Sequence, residues 1–163
     1  MKFVLFRHAH KGILPFEDPE LSLQGFDQAA GIIELIKNEK IPLPTHLYVS
    51  PKRRTSQTFY PTSKQFNVKI ETQPDLDQQN PNENVLSLKK RVENFLTQIQ
   101  SSSAAESVVF ACTHYDWIEE SMTLINCDKD LKSFEFSHWS PTQHVVFELE
   151  NNLWKFIKKG CTK

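Results

Sequence analysis

The chain has 163 residues, 39% hydrophobic and 24% charged, with 12 Phe and only 4 Gly, which is enough apolar mass for one buried core without disulfides or a structural metal. A formal net charge of -1 leaves no global basic field to hold a nucleic acid backbone or an anionic membrane surface. The three cysteines, Cys112, Cys127 and Cys161, are odd in number and lack C-x-x-C spacing, which argues against a disulfide framework or a zinc site.

Residues 3–6 form an apolar, strand-like run directly after Met1-Lys2, too short for a secretory segment. No later stretch reaches the roughly 18 consecutive apolar residues of a membrane span, so a cytoplasmic protein that meets no membrane is expected. A helix follows from Ser22, with Ala29, Ile32, Ile33, Leu35 and Ile36 on one face, and Pro42 stops it. Residues 47–49 read as a strand, and residues 54–65 as a helix that Pro61 interrupts or kinks. Residues 68–70 give the next strand. A helix over residues 84–100 follows, with Val85, Leu88, Val92, Phe95, Leu96 and Ile99 on its inner stripe. The run at 108–112, holding Cys112 as a core residue, is a strand, and residues 116–125 are a helix. Runs at 144–149 and 153–157 pair across Asn151-Asn152 as a hairpin.

Strands alternating with helices imply an α/β fold, here a three-layer sandwich with a mainly parallel sheet, helices on both faces and an antiparallel edge hairpin. No linker, repeat or low-complexity tract interrupts residues 1–163, so a single domain is expected.

In such sheets ligands bind beyond the carboxyl ends of the strands. Three strands end in chemistry-bearing residues. The run at 3–6 is followed by Arg7-His8, the run at 47–49 by Ser50-Pro51-Lys52-Arg53-Arg54, and the run at 108–112 by Thr113-His114. If these strands are parallel neighbours, two histidines and at least two arginines converge on one rim. Guanidinium forks match phosphate oxygens, and a neutral imidazole can attack phosphorus. Such a site needs neither a metal nor a cofactor. Trp117, Trp139 and Trp154 read as packing residues rather than as a recognition surface.

These segments resemble the histidine phosphatase superfamily. Leu5-Phe6-Arg7-His8-Ala9 is similar to its Arg-His signature strand. Asp18-Pro19-Glu20-Leu21-Ser22-Leu23-Gln24-Gly25 with Gln28-Ala29 resembles the segment that follows it, and Ser50-Pro51-Lys52-Arg53-Arg54-Thr55-Ser56-Gln57-Thr58 resembles a third motif. The resemblance implies that His8 is the phosphorylated nucleophile and that Arg7, Arg54 and His114 bind the phosphoryl group, with Arg53 a solvated neighbour. It implies a general acid near Pro74-Asp75-Leu76-Asp77, with Asp77 the first choice and Asp75 the second. His10 and Lys11 are candidates for the rim. The short length and Ala9 look like the compact branch that includes bacterial phosphohistidine phosphatases, but Tyr115-Asp116-Trp117 follows His114 where that branch has Asn-Pro.

The expected activity is metal-independent hydrolysis of a phosphorylated small molecule or phosphoprotein, with a phosphohistidine-specific protein phosphatase as the alternative. A phosphomutase and a non-catalytic phosphate-binding module are the remaining readings.

Overall fold

The computed structural model describes residues 1–162. In chain order the elements are β1 (Lys2–Arg7), α1 (Leu23–Lys37), β2 (His46–Val49), α2 (Arg53–Phe66), β3 (Ile70–Thr72), α3 (Val85–Ser102), β4 (Val108–Thr113), α4 (Tyr115–Leu124), β5 (His144–Glu150) and β6 (Leu153–Gly160). A single 3-10 turn at Pro74–Leu76 lies between β3 and α3. The six strands form one sheet in the order β3-β2-β4-β1-β5-β6. Strands β3, β2, β4 and β1 run parallel, while β5 is antiparallel to β1 and β6 to β5. The α/β architecture with an antiparallel edge pair is thus the one expected from the alternation of patterns.

Local chemistry explains the boundaries. The Ser22 hydroxyl accepts the Gly25 N–H at 3.1 Å and opens α1, and the Asn84 side chain accepts the Ser87 N–H at 2.9 Å and opens α3. Asn151 and Asn152 have φ of 50° and 62°, the left-handed pair that a two-residue hairpin turn requires and that asparagine tolerates. Two expectations are corrected. Helix α2 runs through Pro61 to Phe66 without interruption. The third strand begins at Ile70 rather than Val68, because Asn67 ends α2 in the left-handed conformation and the Val68 N–H donates to the Ser63 carbonyl. With that donor closing the helix, Val68 cannot enter the ladder.

Alternation along β1 builds the two cores. Val4 and Phe6 face Ile32 and Ile36 of α1 and Phe59 of α2, while Phe3 and Leu5 face Val92 and Phe95 of α3 and Trp117 and Ile118 of α4. Helices therefore cover both faces. Trp117, Trp139, Trp154 and Cys112 are all buried, as their patterns suggest. Truncating a residue such as Phe95 would cost about 3–5 kcal/mol. Among the described residues no helix is long and apolar enough to cross a membrane.

Register fixes the rim where the chemistry lies. Arg7 pairs with Thr113 and Val49 with Cys112, so His8, Ser50 and His114, each one residue past its strand, emerge side by side.

Candidate active site

The strand ends bring Arg7, His8, Arg54 and His114 together. His8, Arg54 and His114 are only 6%, 4% and 3% exposed, and the two histidine rings lie 5.3 Å apart. The His8 Nδ1 is 2.7 Å from the Ala9 carbonyl, which only accepts, so Nδ1 carries the hydrogen and Nε2 keeps its lone pair. Burial, reinforced by the charges of Arg54, Arg7 and Lys11, lowers the His8 pKa to about 3. The ring is a neutral imidazole at pH 7.

His114 is held in the opposite sense. The Arg54 guanidinium, which only donates, meets its Nδ1 at 3.1 Å, so the hydrogen sits on Nε2 and is donated to the Ser50 hydroxyl at 2.7 Å. Ser50 Oγ also accepts the Lys52 N–H at 3.2 Å, which leaves its own hydrogen for Thr55 Oγ1 at 3.1 Å. Burial, then the Arg54 charge, lowers the His114 pKa to about 2.

The arginines are braced but not exhausted. Arg7 donates to the Trp139 carbonyl, and its guanidinium lies 5.5 Å from the centre of the Tyr115 ring. Arg54 Nη2 also donates to Gln78 Oε1 at 2.5 Å, and Nη1 stands 3.5 Å from Asp18 Oδ1. The Nε groups of both Arg7 and Arg54 are buried with no partner among the described residues. The first turns of α2 and α4 begin at the same rim and add the positive ends of their dipoles. Cation density with spare donors suits a tetrahedral oxyanion.

The remaining motif residues build the frame. A Cβ on Gly25 would stand 2.0 Å from the His10 carbonyl oxygen, so only glycine lets α1 pack there. Gln28 accepts the His10 N–H at 2.8 Å, Gln57 accepts the Leu21 N–H at 2.9 Å, and Thr58 accepts the Ala9 N–H at 3.0 Å. Arg53 pairs at the surface with Glu20, as a solvated neighbour should.

Asp77 lies beside this cluster, with Oδ1 3.9 Å from His114 Nε2 and 2.9 Å from the Gln78 N–H that it accepts. Asp75 turns its carbonyl to Arg91 and Trp117 instead. Sequence reasoning missed Gln78, one position past the chosen Asp77, along with Ser50, Tyr115 and Arg91 as contributors to the site. The Tyr115 that departs from the Asn-Pro pattern supplies the ring facing Arg7. A cavity of about 560 Å³ lies at the other end of the sheet against Lys2, Ile41, Leu43, Phe66 and Ile157, away from these groups.

The family model of the histidine phosphatase superfamily (branch 1) matches residues 7–82, a span that includes Arg7, His8, Arg54 and Asp77 and ends before His114. Over that span, just under half of its length, the chain matches the histidine phosphatase superfamily. The match supports a phosphatase as the enzyme class. No curated protein sequence matches it. Among solved structures, it is similar to the SixA protein from Agrobacterium tumefaciens, to which phosphohistidine phosphatase activity is ascribed, with TM-score 0.75, 20% identity and coverage of 99% of this chain and 98% of that one. A protein histidine phosphatase SixA complexed with tungstate gives TM-score 0.73 at 16% identity, covering 99% and 97% of the two chains. A phosphoserine phosphatase variant from Entamoeba histolytica in complex with phosphoserine gives 0.72 at 13% identity, covering 97% and 95%. At such identities the histidine phosphatase fold is what these structures share with this chain.

Proposed function

We propose that this chain is a histidine phosphatase that hydrolyses a phosphomonoester or a phosphorylated protein side chain through a phosphohistidine intermediate on His8. The observation that carries the reading is the neutral His8 ring, its Nε2 lone pair unspent, beside two arginines whose buried N–H groups are not all paired. A nucleophile and an anion clamp are thereby combined.

In the first step His8 Nε2 attacks phosphorus. A P–N bond forms, and the bond to the leaving group breaks with its electron pair going to the leaving atom. Arg7 and Arg54 hold the non-bridging oxygens as charge moves across them, joined by His114 when its Nε2–H turns from the Ser50 hydroxyl to the phosphoryl group. Asp77, the carboxyl group 3.9 Å from His114, is the proposed proton donor to an alkoxide leaving group. In the second step water attacks phosphorus and gives its proton to the Asp77 carboxylate. The P–N bond then breaks, its pair returns to Nε2, and inorganic phosphate departs. The arginines supply the charge that a metal supplies in other phosphatases.

A phosphohistidine protein is the second candidate substrate. It is favoured by Asp77, whose Oδ1 is already engaged by the Gln78 N–H, since a leaving nitrogen depends less on an acid. A single domain in a cytoplasmic setting completes the proposal, in keeping with three free cysteines.

The test is turnover of an aryl phosphate and of a phosphohistidine protein by the purified chain, quenched in alkali so that a phosphoryl group on His8 is retained for mass spectrometry. Absence of turnover on both substrates, or of label on His8 during turnover, would overturn the reading.

A further inference from the structure

Arg54 reaches the anion site from the first turn of α2 on a long, flexible side chain, so something must hold its fork in place before substrate arrives. The acceptors that do so differ in kind. Asp18 stands 3.5 Å from Nη1, a loose contact, whereas Gln78 Oε1 stands 2.5 Å from Nη2. A carboxylate at close range would cancel the guanidinium charge and compete with a phosphate dianion. A carboxamide oxygen aims the same donor while leaving the charge intact.

Gln78 can serve as such a brace only if its own backbone is fixed, and it is fixed at both ends. Its N–H donates to Asp77 Oδ1 at 2.9 Å and its carbonyl accepts from Arg91 Nη2 at 3.2 Å. Arg91, on α3, commits every donor it has to the loop around Gln78. Nη1 meets the carbonyls of Asp75 and Asp77 at 3.1 and 2.9 Å, while Nε and Nη2 meet the two Glu83 oxygens at 2.7 and 2.6 Å. The loop is pinned again where Trp117 Nε1 donates to the Asp75 carbonyl at 2.7 Å and where Asp116 accepts the Gln79 N–H at 2.6 Å.

We infer that Gln78 is a positioning residue of the phosphoryl site, holding the Arg54 guanidinium in its binding orientation, and that Arg91 is the clamp that keeps Gln78 in place. The inference rests on the reading of this rim as a phosphoryl site. It assigns to the chain Arg91, Gln78, Arg54 a task that His114, which meets the same Nη2 at 3.1 Å, shares and that His8 and Asp77 do not perform. Losing the brace frees Arg54 to sample other rotamers, so the loss appears in substrate and phosphate binding more than in the rate of the bound complex.

A double-mutant cycle decides it. Wild type, Gln78→Ala, Arg54→Ala and the double variant are compared for kcat and KM on an aryl phosphate, for inorganic phosphate Kd by calorimetry, and for Tm. Gln78→Ala is expected to raise KM and phosphate Kd about tenfold with a smaller change in kcat, and to add nothing in the Arg54→Ala background. Arg91→Met is expected to raise Kd in the same direction and to lower Tm as well, with Gln78→Met as an isosteric control that repeats the Gln78→Ala binding loss at near wild-type Tm. An unchanged Kd in Gln78→Ala, or a Gln78 effect of equal size with and without Arg54, overturns the inference. Should the wild-type chain bind phosphate without turnover, the hydrolase reading fails while the cycle still decides the role of Gln78. If it neither binds nor turns over, both fall.

Discussion

Arg91 and Arg54 both project from helices towards the loop at residues 74–83, and both have substantially buried guanidinium groups, yet their hydrogen bonding is opposite. Arg91 pairs all five of its donors with a carboxylate and three carbonyls, so its charge is wholly absorbed by the protein. Arg54 meets Gln78, His114 and, loosely, Asp18, and keeps Nε buried without a partner, as does Arg7 beside it. An unpaired buried donor costs about 1–3 kcal/mol, which a fold retains when an incoming acceptor recovers it. The difference separates a structural cation from a binding one on hydrogen-bond accounting alone. Volume does not make that separation, since the cavity of about 560 Å³ at the far end of the sheet lacks such groups.

The strongest way to break this contrast is to remove the nucleophile that the binding cations surround. His8→Ala should lower kcat by at least about 10³-fold and abolish the alkali-stable label, measured on folded protein verified by its thermal transition. Substantial residual turnover would mean that the rim binds phosphate without covalent chemistry. Next in size, Arg54→Lys should lower kcat/KM by about 10²-fold, because a point charge replaces a fork, with Tm nearly unchanged. Arg91→Met should show the reverse emphasis. It leaves the Glu83 carboxylate and three carbonyls without their donor and should cost about 2–4 kcal/mol in denaturant unfolding. Equal stability losses in the two variants would erase the distinction between them.

Much of the fold was legible because its signals are local. The alternation in β1, the Ser22 and Asn84 caps and the Asn151-Asn152 turn each state their structure within a few residues. The strand at 68–70 was misplaced for an equally local reason that apolar content conceals, the left-handed Asn67 that takes the Val68 N–H back into α2. At the site, Arg7, His8 and His114 could be read because Arg7 ends a strand and His8 and His114 each follow directly on one, and register does the rest. Gln78 and Arg91 could not be read that way. Their meaning lies in partners 24 and 8 to 16 positions distant, and a glutamine beside an aspartate in a polar loop carries no signal of its own.

Smaller and more selective is the expected effect at the loop carboxylate. Asp77→Asn should slow alkyl phosphate hydrolysis by about 10²-fold and aryl phosphate or phosphohistidine hydrolysis by less than about threefold, read as kcat on each substrate. Asp75→Asn should leave all three nearly unchanged, because only its carbonyl is engaged. If both variants leave every substrate untouched, the loop braces Arg54 without donating a proton, and the phosphohistidine reading gains.

The smallest effect is on stability against pH, and its sign follows from burial. Burial lowers His8 to about 3, His114 to about 2 and His144 to about 4, whereas in the unfolded chain each lies at about 6.5. Below pH 6.5 the unfolded chain therefore binds protons that the folded chain refuses, so stability falls as pH falls, with a slope approaching about 1.4 kcal/mol per pH unit for each histidine. The carboxylate of Glu83, lowered chiefly by its hydrogen bond to Arg91, acts in a different window. Its contribution is present above its ordinary value of 4.5 and is lost only as the pH falls below that. Denaturant unfolding between pH 7.5 and 5 thus isolates the histidines, and flat stability across that range would show that they are not held neutral by burial. Inorganic phosphate sharpens the distinction further. Bound beside His8 and His114 it favours their protonated forms and should flatten the slope, whereas His144, packed on Phe6 at 4.9 Å with its Nδ1 on the Thr142 carbonyl rather than on a side chain of the site, should titrate as before. His144→Phe should therefore remove the part of the slope that phosphate leaves behind.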